Sequence, residues 1–157
     1  MNKLELKYIG IIKTPFEEKA GVPIQAKVGE EFCGQIILNE EYIDGLKDLD
    51  GFSHIHLIFH FNRHDNHSLT VTPYMDDTPR GLFATRAPKR PNPIGLSLVE
   101  IIDIKDNIIN FRGVDILNNT PLLDIKPYYH DFDSRENAKA GWLDRVKKRR
   151  KISDDRF

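Results

Sequence analysis

The side chains best suited to chemistry crowd into two short stretches. Residues 81–100, GLFATRAPKRPNPIGLSLVE, set Arg86, Lys89 and Arg90 around a proline-rich corner. Guanidinium and ammonium groups held there could grip an anion, whether a small carboxylate or the phosphates of a nucleic acid. Pro91 and Pro93 lock φ near about −65° at alternate positions. They push Arg90 and Asn92 towards extended backbone, and Gly95 removes a Cβ where another backbone or a ligand comes close. Leu82 and Phe83 precede this corner, and Leu96, Leu98 and Val99 follow it. A stiff polar corner between apolar strands preorganises a binding site, although a rigid inter-strand turn without a ligand would use the same residues.

The second stretch is FSHIHLIFHF, residues 52–61, followed by His64 and His67, so that five of the six histidines fall within fourteen residues. Period-two alternation puts Ser53, Ile55, Leu57, Phe59 and Phe61 on one face of a strand and His54, His56, Ile58 and His60 on the other. His54 and His56, at i and i+2, could share one metal ion. His60 lies roughly 13 Å beyond His56 at about 3.3 Å per residue, too far to join them directly. These histidines therefore read as half-buried groups bonded to neighbouring strands, and no metal is expected.

The elements that must hold these groups are short and β-rich. Strand-like runs cover residues 4–12, 34–38, 52–61, 69–74, 95–104, 108–112 and 122–125, with a helical turn or two over 40–46. Sustained 3.6-residue periodicity is absent before residue 130. Many short strands punctuated by Gly and Pro predict a mainly β protein, a barrel or sandwich. Arg135 to Arg150 is the best helix candidate, with Trp142, Leu143 and Val146 on one face and Asp133 or Ser134 as the cap. Trp142 is expected to pack that helix on the barrel or on a second subunit. The final ISDDRF reads as a frayed end. With no repeats and no linker, one domain over 1–157 is expected, its barrel core over about 5–130 and a basic, helical segment over 131–157.

Composition narrows the partners. The chain has 157 residues, 39% hydrophobic and 30% charged, and a net charge of −1, so it is not a uniformly basic nucleic-acid binder. Positive charge is nonetheless clustered, at Arg86, Lys89 and Arg90 and again in RVKKRRK, Arg145 to Lys151. A lone cysteine, Cys33, leaves no internal disulfide and no cysteine-based zinc site. No run approaches the ~18–20 apolar residues of a membrane span, and MNKLELKYIG does not read as a secretory signal. A cytoplasmic protein is expected. G-x-G occurs nowhere, which excludes a Rossmann-type glycine loop.

TRAPKRPNPIGLSLVEI resembles the signature of the TsaA-like (TrmO) family of tRNA methyltransferases. DILNNTPLLDIKPY, Asp115 to Tyr128, resembles the family's D-x-x-D-G-T-P-x-x-D-I-K-P-Y run, with Asn118-Asn119 in place of Asp-Gly. The opening Tyr8-Ile-Gly-Ile-Ile-Lys-Thr-Pro-Phe-Glu-Glu-Lys, the following Gly21-Val-Pro-Ile-Gln and Leu49-Asp-Gly-Phe-Ser-His also fit, so the likeness covers roughly residues 5–130 in the family's order.

The resemblance implies a compact β-barrel homodimer that takes a methyl group from S-adenosylmethionine. The acceptor it implies is the exocyclic nitrogen of threonylcarbamoyladenosine beside the anticodon of tRNA. It places Pro23, Ile24, Gln25, Asn62, Arg63, Arg86, Leu96, Asn118, Asn119, Thr120 and Pro121 around the donor. In this frame Arg86 pairs with the donor's carboxylate, backbone near Leu96 and Thr120 reads its adenine, and Asp115 or Asp124 is a candidate to accept a proton or orient the acceptor amine. Phe16, Phe61 or Tyr74 could offer a stacking surface to an unpaired base, though most of these aromatics are expected in the core.

Overall fold

A computed structural model describes residues 2–146, 152–154 and 156–157. Its centre is a closed barrel of six antiparallel strands. These are β1 (Gly10–Lys13), β2 (Cys33–Leu38), β3 (His54–His60), β6 (Ile94–Lys105), β7 (Ile108–Arg112) and β8 (Thr120–Pro127), in the order β1-β2-β7-β6-β3-β8. Two short strands, β4 (Thr70–Val71) and β5 (Arg80–Gly81), form a separate ribbon. Closure leaves the barrel itself without an unpaired edge.

Alternation explains why these segments pair. In β3, Ile55, Leu57 and Phe59 are buried while His54, His56, Ile58 and His60 are only half-buried, the two faces expected from the sequence. Facing them inside the barrel are Ile12, Ile36, Leu38, Val99, Ile109, Phe111 and Leu122. Each such side chain contributes about 1.5–3 kcal/mol of burial, so this interior carries most of the fold. The β6–β7 hairpin turns at Asp106, whose φ is 54°, in the gap between the strand-like runs 95–104 and 108–112.

Gly95 of β6 lies opposite Phe59 of β3, where a Cβ would come within 2.2 Å of the phenyl ring. The glycine thus admits a core ring. Bulges interrupt β3–β8 between Ile58 and Phe59 and β6–β7 between Ile101 and Asp103, re-aiming the strand ends.

Three expectations are corrected. The first strand begins at Gly10, and Leu4 and Leu6 are 78% and 56% exposed, because alternation there meets no partner strand. One helix over 135–150 does not form in its described part. The segment has one α-helical turn, α1 (His130–Asp133), and a 3₁₀ turn at Gly141–Arg145, while 147–151 of the basic run lie outside the described residues. Trp142 does pack inwards, its indole N–H donating to Ala84 O at 2.7 Å with the Arg80 guanidinium over the ring. Nor are the described residues of ISDDRF frayed. Ile152 bridges Pro23, and Phe157 packs against a small second core of Val71, Leu82 and Ala87.

Candidate active site

The proline corner closes one end of the barrel beside the loop 19–26. Strand pairing stops between Thr85 and Pro93, where side chains add to local backbone bonds such as Arg90 N–H to Pro88 O at 2.9 Å. Arg90 donates to Thr85 O at 3.0 Å and Ala87 O at 3.2 Å, pinning the corner to itself. Phe61 N–H donates to Pro93 O at 2.8 Å, tying the corner to the end of β3. Arg90 is therefore a structural cation, whereas Arg86 projects outwards and donates to Gln25 Oε1 at 2.9 Å.

The Arg86–Gln25 pair forms a ridge between two clefts. One, of about 240 Å³, is walled by Ile24, Phe61 and Leu96 and floored by Ser97 and Asp115. The other, of about 350 Å³, runs past Leu98 to His54, Glu100 and Arg112.

Asp115 is the most perturbed group of the first cleft. Desolvation lifts its carboxyl to about 7, against the opposing pull of a Ser97 hydrogen bond, backbone N–H groups including that of Ala26, and the Arg86 charge. Ser97 Oγ donates to Asp115 Oδ1 at 2.6 Å. A carboxyl that ionises near neutrality at the floor of a cleft suits a general base. Ser97 was not singled out in the sequence. Strand alternation would have found it, since it falls between inward Gly95 and Val99, where a hydroxyl needs a partner.

The residues that the resemblance gathers around a donor divide into two groups. Ile24, Gln25, Arg86 and Leu96 line the first cleft, together with the proton-acceptor candidate Asp115. The others do not line it. Pro23 is buried in the loop 19–26, and Asn62 sits in the exposed turn after β3. Arg63 donates to Glu17 O and Asn118 O, at 2.7 and 3.0 Å. Asn118 accepts from Thr14 N and donates to Glu17 Oε1, while Asn119, at φ 62°, accepts from Lys13 Nζ. Thr120 and Pro121 are ladder residues of β8 opposite Ile12 and Ile11. Asp124 is on the far side, paired with Lys126 at 2.9 Å beside an apolar groove near Leu46 and Phe52.

The three strand histidines have protein partners. Ser53 Oγ is 2.8 Å from His54 Nδ1, Tyr8 Oη is 2.6 Å from His60 Nδ1, and Asp133 is 3.5 Å from His56 Nε2. No group of three or more His, Cys, Asp or Glu among the described residues could hold a metal ion. Of the aromatics considered for stacking, Phe61 borders the cleft, Phe16 packs edge-on to Phe32, and Tyr74 packs edge-on to Phe157.

The cleft fits S-adenosylmethionine in chemical kind. Arg86 is an exposed guanidinium able to take a carboxylate, Leu96 and Phe61 offer apolar surface for a purine, and the floor holds an ionisable acceptor. Residues 11–134 match the family model of the tRNA-methyltransferase O N-terminal domain.

A probable S-adenosyl-L-methionine-binding protein of Pyrococcus abyssi is 52% identical over 148 residues, covering 94% of this chain and 80% of that one. The tRNA (adenine(37)-N6)-methyltransferase of Escherichia coli is 35% identical, covering 90% of this chain and 65% of that one. The crystal structure of TrmO from Pseudomonas aeruginosa superposes with a TM-score of 0.76 at 31% identity over 89% of this chain. This chain spans 62% of the length of that structure. With its fold and its sequence in agreement, the chain belongs to the tRNA-methyltransferase O family.

Proposed function

We propose that this protein transfers a methyl group from S-adenosylmethionine to the exocyclic nitrogen of adenosine 37 in tRNA, with the threonylcarbamoyl-modified base as acceptor. The observation that carries the reading is the placement of the Asp115 carboxyl, bonded to Ser97 Oγ at 2.6 Å, in the cleft that Arg86 and Leu96 also line. The donor supplies an activated methyl on a sulfonium, so that the new N–C bond forms as the C–S bond breaks and its electron pair stays on sulfur. The protein's part is alignment and proton handling.

Arg86 holds the donor's carboxylate, Ile24 and Leu96 flank its purine, and Gln25 fixes the guanidinium. Asp115 takes the proton that the acceptor nitrogen sheds and passes it to water. Ser97 orients the accepting oxygen. An anticodon-loop base is already unpaired, so the acceptor enters without duplex opening.

We also infer a cytoplasmic homodimer. Leu96 and Leu98 on the outer face of β6 are 49% and 38% exposed, and each borders one of the two clefts, so a second copy packed there would close both. The deciding experiment is transfer of labelled methyl to tRNA with and without the threonylcarbamoyl group. Transfer to the modified tRNA alone supports the full reading. Donor binding without transfer to either would replace it with a non-catalytic binding module.

A further inference from the structure

The two walls of the cleft come from distant parts of the chain, the loop 19–26 carrying Ile24 and Gln25 and the corner carrying Arg86. A third segment, Ile152–Asp154 with Arg156 and Phe157, touches both. On the loop side, Ser153 N–H donates to Val22 O at 2.8 Å and Gly21 N–H donates to Ser153 O at 3.0 Å. Ser153 Oγ donates to Lys19 O, and Lys19 Nζ donates to Phe157 O at 2.7 Å. On the corner side, Phe157 packs with Val71, Leu82 and Ala87, the last of these next to Arg86. Tyr74 meets the Phe157 ring edge-on at 5.1 Å, and Arg156 donates to Pro73 O at 2.9 Å.

We propose that this segment is a tie between the two walls, and that Ser153 and Phe157 are positioning residues for the methyl donor. The inference rests on the donor reading of the cleft given above. Neither residue lines the first cleft. They act by holding the Gln25 loop and the Arg86 corner at the separation where Arg86 and Gln25 meet. The loop's own turns are Val22 N–H to Lys19 O at 3.5 Å, Val28 N–H to Gln25 O at 2.9 Å and Gly29 N–H to Gln25 O and Ala26 O at 3.2 and 3.0 Å. At its far end the Ala26 N–H bonds Asp115, so that residues 19–22 are the part the third segment holds. Releasing the tie lowers the fraction of molecules in the binding-competent arrangement, and apparent affinity falls by that fraction.

The test uses Ser153→Pro, which removes the N–H bonded to Val22, and Phe157→Ala, which removes the ring beside Ala87. Ser153→Thr, which keeps both the N–H and the hydroxyl, and Phe157→Leu are the conservative controls. Hydrogen exchange over residues 19–26 is followed alongside calorimetric titration with S-adenosylhomocysteine and steady-state kinetics. A competent fraction reduced to about a tenth weakens donor binding about tenfold. The expected result is faster exchange in that loop, weaker donor binding and a raised KM for the donor, with the KM for tRNA unchanged and both controls close to wild type.

Unchanged loop exchange in Ser153→Pro and Phe157→Ala overturns the proposal. So does faster exchange with unaltered donor affinity, or an equal loss in the two controls. Should the wild-type protein bind neither the donor nor its demethylated product, the donor reading itself fails, an outcome distinct from variants that differ from a binding wild type.

Discussion

Ser97 and Asp115, eighteen positions apart in sequence, share a 2.6 Å hydrogen bond at the floor of the cleft between the Gln25 loop and the Arg86 corner. Burial raises the Asp115 carboxyl to about 7, and the Ser97 hydroxyl is the strongest of the contacts that oppose the rise. As a base Asp115 must be ionised, so the methyl-transfer rate is expected to climb with pH through about 7. Asp115→Asn should lower the rate by about 10²–10⁴-fold, the usual worth of a positioned base, with donor binding retained. Ser97→Ala removes a contact that favours the carboxylate, and its pH–rate profile should move to higher pH. Single-turnover methylation across pH 5–9 checks both. A flat profile in the wild type would remove Asp115 from proton transfer.

The same carboxyl links pH to stability. Its pKa in the folded protein, about 7, lies above its ordinary value of 3.8, so the folded state binds more protons between those limits. Stability from this group is therefore present at low pH and declines as pH rises towards 7. Asp115→Asn abolishes the decline and should be more stable than wild type above pH 7. Urea unfolding at pH 5 and pH 8 measures the difference, and a wild-type and variant gap that does not change with pH would contradict the assignment.

Arg86 is exposed, and its hydrogen bond to Gln25 is a surface contact, so Arg86→Ala is expected to leave the barrel folded. Losing a charge-assisted bond to the donor's carboxylate would weaken binding by about 10–150-fold, equivalent to about 1.5–3 kcal/mol. Arg90→Ala should behave differently, because Arg90 holds the corner through two carbonyl oxygens and its loss disorders the wall itself. Titration with S-adenosylhomocysteine, paired with thermal melting, separates the two. Equal donor affinity in wild type and Arg86→Ala would sink the carboxylate role.

The barrel was readable in the sequence because a strand with one wet and one dry face writes its own alternation. His54 to His60 did so without ambiguity, and the Ile108–Arg112 strand was placed to the residue. Asp115 and Asp124 looked alike as candidates, since spacing in a loop and a strand does not say which carboxyl is desolvated. The fold decides it, setting one in the cleft and the other against Lys126 on the far side.

Long-range ties left no sequence pattern. Lys19 and Phe157 are 138 positions apart, and nothing in ISDDRF marks its partner. Asn118 shows the complementary difficulty. The motif brings it to attention, but its side chain spans from Thr14 N to Glu17 Oε1, a bracing task with no periodic signal.

His64 is held down to about 4 by burial first and by the nearby Lys19 and Lys89 charges next, against the pull of Asp65. Its ordinary value is 6.5, so the unfolded chain takes up a proton at a pH where the folded protein refuses it. Stability from this group is complete above pH 6.5 and is lost as pH falls towards 4. NMR titration of the His64 ring should show a midpoint near 4, and Lys89→Ala should raise it. A midpoint near 6.5 in the native protein would show that neither burial nor the Lys19 and Lys89 charges act on the ring.

Asn119 occupies the left-handed region at φ 62° where the family run has glycine. A side chain other than Asn is disfavoured there by roughly 1–2 kcal/mol, whereas glycine is not. Asn119→Gly is therefore expected to keep or slightly improve stability, even though it gives up the Lys13 contact, which is exposed. Asn119→Ala should lower the melting temperature by about 2–8 °C, since each kcal/mol is worth about 2–4 °C at this chain length. Melting the two variants beside the wild type settles the order. If Ala were tolerated as well as Gly, the turn before β8 would not depend on left-handed backbone, and the Asp-Gly to Asn-Asn exchange would need another explanation.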